Sequence, residues 1–87
     1  MEDNFGLFLH SLRKKAHLTQ GELANLLHVS HQAVSSWERE LSMPDISLIL
    51  PLAKILNTTA ERLLFMMTGE FNSKEIDAFL EKRKDRI

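Results

Sequence analysis

Residues 19–38 read TQGELANLLHVSHQAVSSWE, and the spacing inside this stretch decides the fold. Thr19 and Glu22 stand as in a capping box, so Thr19 opens a helix and Glu22 reaches back to it. That helix is short, about 20–27, with Leu23, Ala24 and Leu27 turned inward. His28, Val29 and Ser30 follow as a tight turn, and Ser30 caps a further helix extending to about residue 39. One face of it carries Val34, Trp37 and Leu41, which suits a core. The other carries Gln32, Ser35, Ser36 and Arg39, at i, i+3, i+4 and i+7. Long Lys or Glu side chains would give that outer face better solubility and helix propensity. Short hydrogen-bonding side chains there need a reason.

Outward from this stretch every strong signal is helical, and no run alternates with period two. A first helix spans roughly 4–16, with Phe5, Phe8, Leu9, Leu12 and Ala16 on one stripe. Arg13, Lys14 and Lys15 fall in its last turn, where cations favour the helix dipole. LSMPD at 41–45 is a loop by composition. Asp45 or Ser47 caps a fourth helix ending near Leu56. With Ser47 as the cap, Pro51 falls in the first turn; with Asp45, a kink or a loosened first turn is expected. Asn57 suits a left-handed C-cap, and Thr59 caps a fifth helix over about 60–67. Gly69 ends the compact unit. Residues 70–87 read as an extra C-terminal helix, with Asn72 and Glu75 at capping-box spacing. Its stripe of Ile76, Phe79 and Leu80 is too small to fold alone, so it packs back on the domain or meets a partner. The expected fold is all-α: five helices over 1–69, then the helical extension 70–87.

A chain of 87 residues makes one small domain with one modest core. Hydrophobic content of 44% with 26% charge marks a folded rather than a disordered chain. The absence of cysteine excludes disulfides and thiolate metal sites, and fits a reducing compartment. The acidic start MEDNFG is unlike a signal peptide, and LLFMM, the longest apolar run, falls far short of the ~18 residues of a membrane span. A cytoplasmic location is expected. The net charge of −1 gives nucleic-acid binding no support by itself. The clusters RKK at 13–15 and KRKDR at 82–86 read first as solvated helix faces. No catalytic constellation is present: there is no Gly-rich phosphate loop and no Ser/His/Asp set. The four histidines are scattered, and His28 and His31 straddle a turn rather than share a face. No enzyme activity, metal or cofactor is expected.

Two helices of about eight residues joined by a tight turn are a helix-turn-helix by geometry. TQGELANLLHVSHQAVSSWE resembles that unit of the phage-repressor-like (Cro/repressor, XRE-type) family of transcriptional regulators. The likeness continues into MPDISLILPLAKILNTTAERLL, which looks like the family's fourth and fifth helices, and covers about residues 5–67. It rests on Gln at the start of the second helix, Ala four residues on, an aliphatic at 34, WE at 37–38, then Pro and LA..L. The resemblance implies a sequence-specific regulator of transcription, a repressor by family habit, reading the major groove of double-stranded DNA with helix 31–39. Such a helix needs short donors and acceptors, and His31, Gln32, Ser35 and Ser36 lie on its outer face or leading end. Gln20, at a helix N-terminus, is then a phosphate contact, with Arg39, Lys14 and Lys15 as further candidates. Arg13 and Glu38 occupy the family's ion-pair positions, and Trp37 belongs to the core. One short reading helix specifies few bases, so a homodimer on a pseudo-palindromic operator is expected, with 70–87 as a candidate dimerisation or partner-binding element.

The chain departs from the family pattern in two places. His28 stands where Gly is usual, at a turn position requiring positive φ. Glu40 and Leu41 replace Gly and a basic residue after WE, which removes a phosphate contact and places a carboxylate near the DNA. The rival reading is a protein-interaction module or antitoxin-like regulator on the same fold. An apolar outer face on helix 31–39 would favour it, and the face is polar.

Overall fold

The computed structural model describes residues 4–68. Five α-helices follow one another: α1 (Phe5–Lys15), α2 (Gln20–Leu27), α3 (His31–Glu38), α4 (Ile49–Ile55) and α5 (Ala60–Thr68). Among the described residues there is no strand, and no helix is long and apolar enough to cross a membrane. The expected extension 70–87 lies outside the described residues.

Short polar side chains start these helices. Asn4 Oδ1 accepts the Leu7 N–H at 2.9 Å, Ser30 Oγ the Ala33 N–H at 3.1 Å and Thr59 Oγ1 the Arg62 N–H at 3.1 Å. At α2 both arms of the capping box are made. Glu22 N–H donates to Thr19 Oγ1 at 3.0 Å, and Thr19 N–H donates to Glu22 Oε1 at 2.8 Å. Each such cap satisfies a helix-end N–H that would otherwise lack a protein partner, and losing one costs about 1 kcal/mol. Asp45 caps a 3-10 turn, Ile46–Leu48, that leads directly into α4. Pro51 is therefore in the first turn of α4, behind a loosened start, where its missing N–H does little harm.

Four of the helix ends share one device. His17, His28, Glu40 and Asn57 all have φ between 56° and 63°, and none is glycine. After α2, Val29 N–H donates to Ala24 O at 3.0 Å and His28 N–H to Asn25 O at 3.2 Å. This crossed pair is the Schellman closure, and it recurs after α1, α3 and α4. A left-handed non-glycine residue costs roughly 1–2 kcal/mol, which the carbonyl-satisfying bonds offset.

α3 packs against both α1 and α2, and α5 against α1 and α4. The core between them takes Phe5, Phe8 and Leu9 from α1, Leu23, Ala24 and Leu27 from α2, and Val34 and Trp37 from α3. Ile49, Leu52, Ala53 and Leu56 with Ala60 and Leu63 complete it. Leu12 and Ala16 are only partly buried, at its rim. Leu41 is not part of it: helical spacing placed it under Trp37, but it is 67% exposed. The helix stops at Glu38, and the left-handed turn at Glu40 sends the chain away before residue 41.

α1 and α3 meet very closely at one point. A Cβ on Gly6 would lie 2.4 Å from Glu38 O and 2.9 Å from Glu38 C, so the α3 backbone itself occupies that space. Gly6 N–H donates to Glu40 Oε2 at 2.6 Å. The α1 N-terminus is thus held against the C-terminal end of α3 by contact and by a charged acceptor.

Candidate nucleic-acid interface

The capping of α2 and α3 places two side chains side by side at the leading edge of the helix pair. Gln20 is the first residue of α2 and His31 the first of α3. His31 Nε2 lies 3.1 Å from Gln20 Oε1. The other end of the same amide, Gln20 Nε2, donates to Glu38 Oε1 at 3.0 Å. Glu38 is in turn the acceptor for Arg13, whose Nε donates to Oε2 at 2.6 Å and whose Nη2 donates to Oε1 at 3.1 Å. Arg13 Nη1 donates to Leu18 O at 2.8 Å. One connected network therefore ties α1, the turn after it, α2 and α3.

The Arg13 and Glu38 side chains are 9% and 5% exposed, so this ion pair is nearly buried. Burial works against the Glu38 carboxylate, but hydrogen bonds from Arg13, Gln20 and His10, with the Arg13 charge, outweigh it. Its pKa is held below the ordinary value, and the carboxylate is ionised at neutral pH. His10 Nδ1 lies 3.0 Å from both Glu38 Oε1 and Arg13 Nη2. Protonated, it donates to the carboxylate; unprotonated, it accepts from the guanidinium.

Beside this network an open cleft of about 750 Å³ lies at the start of α2, lined among others by Lys14, His17, Gln20, Gly21 and His31. Gln20 and Gly21 occupy the first two positions of α2, where helix N–H groups have no intrahelical acceptor. The lining of the cleft includes Arg13 and Lys14 and, among the described residues, no carboxylate. Glu22, the nearest carboxylate on α2, is engaged in the capping box.

Further along α3, Gln32 is exposed, and Ser35 and Ser36 are partly exposed. None of their side chains is hydrogen-bonded to another of the described residues. Arg39 is exposed at the C-cap of α3, about 12 Å along the helix from His31. Lys15 is exposed on α1 and is not among the cleft residues. The structure thus gathers Lys14, Gln20 and His31 in one place, sets Gln32, Ser35 and Ser36 along the adjoining face, and leaves Arg39 and Lys15 apart. Among the described residues no group of three or more His, Cys, Asp or Glu side chains could hold a metal ion.

Two residues make contacts inside the protein that the reading of the sequence did not anticipate. The Glu40 carboxylate accepts the Gly6 N–H at the first turn of α1. The left-handed backbone at residue 40 turns it there, and the positive end of the α1 dipole favours it. Gln20, expected as a phosphate contact, also bonds Glu38 through its amide nitrogen and His31 through its amide oxygen. His10 and His17, passed over as scattered histidines, belong to this region. For His10 the signal was available, since it precedes Arg13 by one helical turn on the same face.

Residues 9–63 match the family model described as Helix-turn-helix. No curated protein sequence matches the chain. A similar solved structure is that of the P22 c2 repressor protein in complex with synthetic operator 9T in the presence of Tl+. The two superpose with a TM-score of 0.67 and 28% identity, over 79% of this chain and 100% of that chain.

Proposed function

The chain belongs to the helix-turn-helix family, and from that premise we propose that it is a DNA-binding regulator of transcription that lays α3 in the major groove. The observation that carries the reading is the outer face of α3: Gln32, Ser35 and Ser36 present donors and acceptors that no other described residue satisfies. A groove-entering helix needs such side chains, since they reach base edges without blocking approach. His31 stands at the leading end of that face. Lys14 and the backbone N–H groups at the start of α2 supply the phosphate contact, and Gln20 supports it by holding His31 and by its position at the helix end. Arg39, and more weakly Lys15, touch phosphates from either side. The similar structure is of a repressor protein in complex with a synthetic operator, which supports repression as the mode of action. The charge of −1 argues for two copies acting together on a pseudo-palindromic site, with half-sites about 34 Å apart. Within this scheme residues 1–69 are the DNA-binding domain, and 70–87 are the candidate dimerisation element.

Selecting bound duplexes from a random pool at about 100 mM salt tests this directly. Enrichment of an inverted repeat is the expected result. Protein shown to be folded that enriches no sequence would overturn the reading. One observation favours a second reading, in which the fold also engages a protein: Leu41, Met43 and Ile46, on and just after the α3–α4 loop, are 67%, 42% and 52% exposed. In that case substitution of all three by serine removes partner binding and leaves the selected DNA sequence unchanged.

A further inference from the structure

The direction of the Gln20 amide settles the state of the His31 ring. Gln20 Nε2 points at the ionised Glu38 carboxylate, which only accepts. Turning the amide round would set its oxygen against a carboxylate oxygen, acceptor against acceptor. Gln20 Oε1 therefore faces His31, and it too only accepts, so His31 Nε2 carries the ring proton. In the neutral ring the other nitrogen, Nδ1, is then bare. It has no partner among the described residues, and the ring is exposed at the leading end of the proposed reading face.

We propose that His31 reads a base edge through Nδ1, and that taking up a proton changes which base it prefers. This inference rests on the DNA-binding reading of α3. Neutral, Nδ1 is an acceptor and matches the amino group of adenine or cytosine in the major groove. Protonated, it is a donor and matches guanine O6 or N7. The Glu38–Gln20 pair makes this a defined switch, because it keeps Nε2 occupied in both states. An imidazole is the one side chain whose ordinary titration falls between about pH 5 and 8.

The charged and titratable groups around the ring come from each neighbouring element. α1 contributes Arg13 and Lys14, and the turn after it His17, all lining the same cleft as His31. Arg13 is matched by Glu38. On α2, Glu22 is engaged at the Thr19 N–H. On α3, Glu38 is connected to the ring through Gln20.

Two measurements on the full chain test the proposal. In ¹⁵N-labelled protein at about pH 8, where an imidazole is ordinarily neutral, His31 is expected to show a protonated Nε2 and an unprotonated Nδ1; the reverse tautomer would overturn the inference. Duplex selection at about pH 8 and again at about pH 5.5 should then show one base position per half-site shifting from adenine or cytosine toward guanine, by about tenfold, the size of one hydrogen bond to a charged group. His31→Gln keeps a partner for Gln20 but does not titrate, so its preference should be the same at both pH values. An unchanged preference in the unsubstituted protein, or a shift that persists in H31Q, defeats the switch while leaving DNA reading intact. Failure to enrich any sequence at either pH overturns the DNA reading itself, and this inference with it.

Discussion

On the side of α3 that meets α1, polar groups are satisfied within the protein: Glu38 accepts from Arg13 and Gln20, and Glu40 from the Gly6 N–H. On the outer side, Gln32, Ser35 and Ser36 make no side-chain hydrogen bond to any described residue. Apart from Glu40, just beyond its end, one eight-residue helix carries both. The contrast separates what holds the helix in place from what it is held in place for. Substitutions on the inner side should register as lost stability, and substitutions on the outer side as lost binding.

The largest effect is expected at the ion pair. Arg13→Met leaves a nearly buried carboxylate without its main partner and should destabilise the fold by about 3 kcal/mol or more, read from urea unfolding. A double-mutant cycle with Glu38→Gln should show coupling, and an additive result would remove the pair from the inner side's account. The pH dependence has a definite sign. Because the folded-state pKa of Glu38 lies below its ordinary 4.5, its contribution is complete above that value and is lost as pH falls through the folded pKa. Stability should therefore decline below about pH 4.5, and Glu38→Gln should flatten that decline.

Next in size is Gly6→Ala. Alanine is the better helix former by about 1 kcal/mol, but here its Cβ meets the Glu38 carbonyl at 2.4 Å. The neighbour is backbone and cannot rotate away, so net destabilisation of roughly 1–3 kcal/mol is expected in the same unfolding measurement. A stabilised G6A protein would show that the α1–α3 seam is looser than the inner side requires.

Apart from the Arg13–Glu38 pair, which the family resemblance implied, the inner seam was also the part least legible in the sequence. Capping boxes, left-handed ends and apolar stripes are local codes: Thr19 with Glu22 and the Asn57 end could be read from the residues directly, and the left-handed turn at His28 through the family resemblance. Glu40 bonds a residue 34 positions away, and no periodicity reports that. The same holds for Gly6, whose need for a missing side chain arises only when α3 is laid across it. Leu41 was misread because the spacing rule was extended past the end of its helix. The outer face was legible for the opposite reason. Its oddity, short polar residues where long ones serve better, is visible without knowing what lies behind it.

A smaller effect separates two left-handed turns on either side of α3. His28 and Glu40 have nearly the same backbone, with φ 59° and 63°. The His28 side chain is exposed and makes no hydrogen bond to a described residue, whereas Glu40 accepts from Gly6. Glycine at 28 relieves strain and gives up nothing in the folded state, so His28→Gly should stabilise by about 1 kcal/mol after the extra freedom of the unfolded chain is counted. Glu40→Gly relieves the same strain but removes the α1 acceptor, and should gain less. Equal gains would mean that the Glu40–Gly6 bond adds nothing to the inner side.

The smallest stability change, and the one that most sharpens the contrast, is expected on the outer face. Gln32→Ala and Ser35→Ala remove side chains that hold no other part of the protein, and alanine suits a helix interior better than serine. Both variants should unfold within about 0.5 kcal/mol of the parent. Against the selected duplex, by contrast, Gln32→Ala should weaken binding by about tenfold or more, as loss of a bidentate base contact does, and relax the preference at one base position. Ser35, an adaptable and weaker specifier, should cost less. If either substitution destabilised the fold as much as Gly6→Ala, the outer residues would be structural after all, and the side of α3 that faces solvent would need the same explanation as the side that faces α1.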